Sequence, residues 1–184
     1  GEHAKALEEF EIAMRLDPQD VMAPYNAGLT YLMIGDEEKA LEYFLKAYVL
    51  DETQFEVALR LGRLYLNREE YETALRYLEN AVELEKESGP AHRLSGECRA
   101  KLNMLDEAIR SYSAAVKANG NDAYSLSALG ELYLEQGRNL EIALVFCRQS
   151  VDLAPDSGLF RCRLGSVYFK MEQFDKALAL LEKV

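Results

Sequence analysis

Two apolar rhythms alternate along this chain. In "APYNAGLTYLMIG" (Ala23 to Gly35) and "FEVALRLGRLYLN" (Phe55 to Asn67) the apolar residues return three and four positions apart, the spacing of a helix with one buried face. A second stretch of the same kind, "EEKALEYFLKAYVL" (Glu37 to Leu50), follows the first. Polar clusters rich in Gly, Asn, Asp and Glu separate the two, as in "IGDEE", "LNREE" and "EQGRN", and "LDPQD", "LDETQ", "LEKES", "ANGND" and "LAPDS" close the second stretch. Proline disfavours helix at the residue before it, so "DP" and "AP" read as helix stops. The pattern predicts pairs of helices joined by short turns.

Self-comparison gives the pairs a period. Ala6, Ala40, Ala74, Ala108, Ala143 and Ala177 are 34, 34, 34, 35 and 34 residues apart, and Gly28, Gly62, Gly96, Gly130 and Gly165 follow at 34, 34, 34 and 35. Gly inside a helix costs about 1 kcal/mol relative to Ala, so its return at one site predicts a close approach of the neighbouring helix. The Ala column reads the same way. Large residues complement them: Tyr31, Tyr65, Tyr133 and Tyr168 come three after the Gly, and Phe10, Phe44, Leu78, Tyr112, Cys147 and Leu181 four after the Ala. One pair cannot cover this apolar surface, whereas stacked pairs can.

Leu-Gly-x-x-Tyr followed by Ala-x-x-x-Phe and Pro at this period resembles the tetratricopeptide repeat, or TPR, and "YNAGLTYLMIGDEEKALEYFLKAYVLDE" matches it almost throughout. The resemblance implies an all-α fold, a right-handed superhelical solenoid of antiparallel helix pairs. It divides residues 1–184 of a single array into a second helix (1–20), repeats 21–54, 55–88, 89–122 and 123–157, and an incomplete 158–184. Departures are local: Arg99 stands in the Tyr column, Ser95 precedes its Gly, and Pro24, Ala58, His92, Leu126 and Arg161 occupy the usual Trp site. The apolar face of "FDKALALLEKV" leads us to expect further helices beyond both ends. The extra residue of "EQGRNLEIALVF" falls between Gly137 and Ala143, in a turn, where lengthening is cheap.

Composition narrows the function. The 184 residues carry 21 Lys and Arg against 32 Asp and Glu, a net charge of −11, and all of the excess lies in residues 1–92, with 9 basic and 20 acidic residues. Phosphate backbones and anionic lipid would repel such a chain, so neither nucleic acid nor direct membrane contact is expected. No apolar run approaches the roughly 20 residues of a membrane span, and cytoplasmic residence is the expectation. Cys98, Cys147 and Cys162 are odd in number and unclustered, which predicts reduced, space-filling thiols and no metal site.

Catalysis finds no footing. His3 and His92, the two histidines, lie outside any metal or nucleophile motif and read as solvated groups. Glu37-Glu38 and Glu69-Glu70 fit the electropositive start of a second helix, without need of a carboxylate dyad. "GLTYLMIG" and "GELYLEQG" lie inside helices, so they are not phosphate loops. No enzyme activity and no cofactor is expected.

Binding remains, and the resemblance implies that ligands lie against the first helix of each repeat. The positions it points to are Met22, Tyr25, Asn26, Leu29 and Met33, then Glu56, Leu59, Arg60, Arg63 and Asn67, then Pro90, Arg93, Leu94, Glu97 and Lys101, then Tyr124, Ser127, Ala128, Glu131 and Glu135, and finally Leu159, Cys162, Arg163, Ser166 and Lys170. The expected role is a scaffold or adaptor holding a protein or peptide segment in its concave groove. Arg60, Arg63, Arg93 and Lys101, beside Met22, Tyr25, Leu29 and Met33, suit a segment with an acidic group next to an apolar anchor. The alternative is that these cations pair with Glu56 and Glu97 and are merely solvated. A subclass of the family grips chaperone-tail carboxylates; Asn26 and Arg60 fit it, but Glu56 stands where it has Lys. Competing roles are self-assembly into homo-oligomers through repeat ends, or a regulatory arm of a larger protein. The related pentatricopeptide RNA readers keep a 35-residue period and suit this charge poorly.

Overall fold

The computed structural model describes residues 1–137 and 139–181, Leu181 by its backbone alone. Arg138 in the long turn, the packing expected of Leu181 and the last three residues lie outside the described residues. Among them are eleven α-helices and no strand, arranged as successive antiparallel pairs. The contacts divide the chain into two compact units, Gly1–Lys86 and Glu87–Val184.

The first unit holds α1 (Glu2–Leu16), the pair α2 (Met22–Met33) and α3 (Glu37–Leu50), and the pair α4 (Phe55–Asn67) and α5 (Tyr71–Leu84). The second holds α6 (Gly89–Lys101) with α7 (Leu105–Ala118), α8 (Ala123–Glu135) with α9 (Leu140–Leu153), and α10 (Gly158–Lys170) with α11 (Phe174–Leu181).

The Gly and Ala columns meet as their spacing predicts. A Cβ built on Gly28 would sit 2.8 Å from the Phe44 ring, one on Gly62 2.5 Å from Leu78 Cγ, and one on Gly130 2.3 Å from Cys147 Sγ. The large residue four after each Ala thus fills the notch left by the Gly of its own pair. Ala40, Ala74, Ala108 and Ala143 are fully buried beside these contacts. Three residues after the Gly comes a second recurring contact. Tyr31 stacks on Tyr43 with centroids 5.2 Å apart, Tyr65 on Tyr77 at 5.4 Å, and Tyr133 on Phe146 at 6.0 Å. In the pair α6 and α7 the same two positions hold Arg99 and Ser111, and the guanidinium donates a hydrogen bond to the hydroxyl. The departure seen in the sequence is therefore a change of contact chemistry within an unchanged frame.

Helix ends follow local chemistry. Asp17, Asp51 and Asn119 each accept the backbone N–H two residues on, at 2.9–3.1 Å, turning the chain after a second helix. Between the helices of a pair, three residues suffice everywhere except between α8 and α9, where Gln136 to Asn139 number four. Among the described residues, that longer turn holds two left-handed ones, Gly137 and Asn139, where each other turn has one: Gly35, Glu69, Asn103 or Glu172. The extra residue is thus absorbed in the turn. Glu37 and Glu38 occupy the first turn of α3 as expected, whereas Glu69 adopts the left-handed turn position and Glu70 the N-cap of α5. The turn consumes those two residues before the helix begins.

Candidate binding surface

The second unit carries a cleft of about 320 Å³ on its first helices. From α6 come Glu97, Ala100 and Lys101, spaced to share one face; from α8 come Tyr124, Ala128, Leu132, Glu131 and Glu135; α10 adds Arg163 and α7 adds Tyr112. Capping fixes these helices. Ser88, Asp122 and Ser157 accept the N–H groups of Ala91, Ser125 and Phe160 at the starts of α6, α8 and α10.

Three charges of the cleft, Arg163, Glu131 and Glu97, have partners on the protein. Arg163 forms an ion pair with Glu131 and donates to the Ser127 hydroxyl at 3.1 Å; its side chain is 16% exposed. Ser127 is completely buried, so the guanidinium is anchored from below. Tyr124 donates to Glu97, and burial, reinforced by that carboxylate, pushes its phenol above the ordinary value. Burial also drives the Tyr112 phenol upward, with the neighbouring Tyr124 and Glu97 adding to it. The two rings stand 6.4 Å apart and tilted by 55°.

Arg93 lies beside this site. Its guanidinium sits over the Tyr124 ring, 6.0 Å from the centroid, and its Nε is 3.8 Å from the Asp122 carboxylate. The carboxylate that holds it is thus Asp122, while Glu97 takes the tyrosine hydroxyl. Lys101, Glu131 and Arg163, named from the sequence, come together in the cleft.

The remaining named residues belong to the first unit. Met22 and Met33 are exposed on α2, whereas Tyr25 and Leu29 are packed against the core, the Tyr25 ring 5.8 Å from Phe44. Asn26 is half-buried and its carbonyl accepts the Thr30 hydroxyl at 2.9 Å. Arg60 is half-buried with an unbonded Nε, and Arg63 is exposed. Half of the expected apolar strip is therefore committed to the interior.

Sequence reasoning did not assign Tyr112 to the surface. It comes from a second helix, in the column that holds Phe44 and Leu78, and only its hydroxyl distinguishes it from them. His92, expected to be solvated, is half-buried in the first turn of α6. Cys98 and Cys147 are buried as expected, while Cys162 is exposed on α10 and is not a filler of space. Among the described residues no helix is long and apolar enough to cross a membrane, and no three His, Cys, Asp or Glu side chains gather as metal ligands.

Paired helices, a notch-filling Gly column and a first-helix cleft define a helical-repeat protein of the solenoid class. Two family models, both described as Tetratricopeptide repeat, match residues 1–55, 59–123 and 99–158 and residues 160–184 respectively. The chain belongs to the tetratricopeptide repeat family. No curated protein matches it in sequence. Among solved structures it is similar to YrrB, described as a TPR protein with an unusual peptide-binding site, at 25% identity and TM-score 0.81 over 96% of this chain and 91% of that one. MamA from Desulfovibrio magneticus RS-1 gives 21% and 0.80 over 89% and 92%, and Pseudomonas aeruginosa pilF 16% and 0.82 over 98% and 82%. The last two likenesses concern the fold alone. Repeats of this family generally mediate protein–protein interaction.

Proposed function

We propose that this protein is a non-catalytic scaffold that binds a peptide or protein segment on the inward faces of its first helices. The observation that carries the reading is the cleft of the second unit. Its walls are first-helix side chains, and its volume of about 320 Å³ is at the small end of ligand sites, suited to one or two side chains of a longer segment. The similarity to YrrB, whose description names a peptide-binding site, supports it. In the first unit, Met22 and Met33 with Arg60 and Arg63 offer a second contact for an apolar and acidic stretch.

Panning a random-peptide library tests this. Peptides enriched on the wild-type chain should lose binding when Ala128, on the cleft wall, is changed to Arg with the fold intact. A library yielding no enriched peptide would overturn the reading. A second reading, association of copies, is favoured by one apolar patch: Phe169, Phe174 and Leu178 are 64%, 55% and 57% exposed. Sedimentation of the Phe169→Glu variant checks it, because only a self-associating chain would shift toward monomer.

A further inference from the structure

We propose that the cleft of the second unit receives an arginine or lysine side chain of the bound segment, with the cationic head among Glu97, Glu131 and Glu135 and the stem against Tyr124. This rests on the scaffold reading and names the chemistry of what it binds.

Charge is the first argument. Three carboxylates line the cleft against two cations, Lys101 and Arg163. Arg163 is already committed to Glu131 and to the buried Ser127, so its charge is neutralised where it stands. Glu135 and Lys101 are exposed at the mouth, and Glu97 is turned toward Tyr124. The cleft keeps an excess of one negative charge. An acidic side chain entering it would face three carboxylates and would have to displace Glu131 from Arg163. A basic one meets a site with its acceptors in place, where charged hydrogen bonds are the strong ones.

Shape and surface are the second. Tyr124, half-buried beside the buried Tyr112 ring, presents an aromatic wall, and Ala128 contributes only a methyl between the charged residues of α8. Long basic side chains lay their methylenes along such walls while the head stays polar. The region already accommodates a guanidinium on tyrosine, because Arg93 sits 6.0 Å from the Tyr124 centroid. An apolar side chain alone would strip water from the exposed Glu135 carboxylate and offer it no partner in exchange.

A positional-scanning array of capped decapeptides gives the test. The wild-type chain should select Arg or Lys at one or two positions, and replacing that residue by Ala should weaken binding about tenfold or more, the scale of one charged contact. Glu97→Gln with Glu135→Gln keeps size and hydrogen-bond acceptance but removes charge, and should erase the selection. Glu8→Gln with Glu9→Gln, exposed on α1, is the control for general attraction to an acidic protein and should leave the selection intact. Selection of acidic or purely apolar residues would overturn this proposal while leaving the scaffold reading standing. So would basic selection that survives the Glu97 and Glu135 changes or falls equally in the control. Absence of any selected peptide would overturn both.

Discussion

Replacing Gly130 by Ala puts a methyl group where the pair α8 and α9 has no room. The added Cβ would lie 2.3 Å from Cys147 Sγ, with the Ala143 carbonyl oxygen at 3.1 Å and the Cys147 nitrogen at 3.2 Å behind it. The sulfur belongs to a completely buried side chain, and the other two atoms are backbone, so no flexible end can swing aside. Overpacking of this severity costs about 3 kcal/mol, and the better helix propensity of Ala returns about 1, leaving a net loss of about 2 kcal/mol. Changing Cys147 to Ala removes the sulfur and by itself costs about 1 kcal/mol through lost packing. Together the two changes should leave a loss of only about 1 kcal/mol, because the new methyl takes the place of the sulfur while the two backbone contacts remain tight. The coupling in a double-mutant cycle should then reach at least about 2 kcal/mol in favour of the pair. Urea unfolding followed by far-ultraviolet circular dichroism measures all four corners. Gly120→Ala serves as a control, since nothing lies within 4 Å of its Cβ. Additivity within about 0.5 kcal/mol, or a stabilised Gly130→Ala single variant, would refute the argument that this Gly is a packing notch.

Three further outcomes follow from local chemistry. Glu69 and Glu172 hold the left-handed turn position that Gly35 fills between α2 and α3, so changing either to Gly should stabilise by about 0.5–1 kcal/mol, read as a rise in urea midpoint. Burial pushes the Cys98 and Cys147 thiols up to about 12 and about 11, while Cys162 is exposed, so a thiol reagent at pH 8 should label one cysteine in the folded chain and three after denaturation. Asp51 is held below the ordinary carboxylate value first by the Thr53 hydroxyl, then by Gln54 and the Thr53 N–H. A depressed folded value means that its contribution is present above the unfolded value of about 4 and lost as pH falls through the folded one. Melting temperatures between pH 6 and 2.5 should therefore fall less steeply for Asp51→Asn than for the wild type.

Much of this molecule was legible in the residues because its contacts repeat. Gly28 and Phe44, Gly62 and Leu78, and Gly130 and Cys147 meet across one short turn, so a column of small residues and a column of large ones reveal each other. The extra residue between Gly137 and Ala143 was equally readable, since the columns on either side of it stay in register. The candidate surface was harder. Its first-helix positions could be counted off, but counting does not say whether a side chain is free.

The sequence by itself determined the helices, their pairing, the turn that lengthens and the family to which the chain belongs, because these depend on periodicity and on contacts within a single hairpin. Only the tertiary structure decided which of the counted first-helix residues are spent in packing or ion pairs and which stay exposed. Tyr25 and Leu29 turn into the core, Arg93 is held by Asp122, and Arg163 reaches back 36 residues to Ser127. Tyr112 packs in the Gly96 notch as its column predicts and also borders the cleft. The physical reason is that such choices are competitions among partners on different helices. Distance, burial and the direction of each side chain settle them, and none of these is a property of the residue's own neighbourhood in the chain.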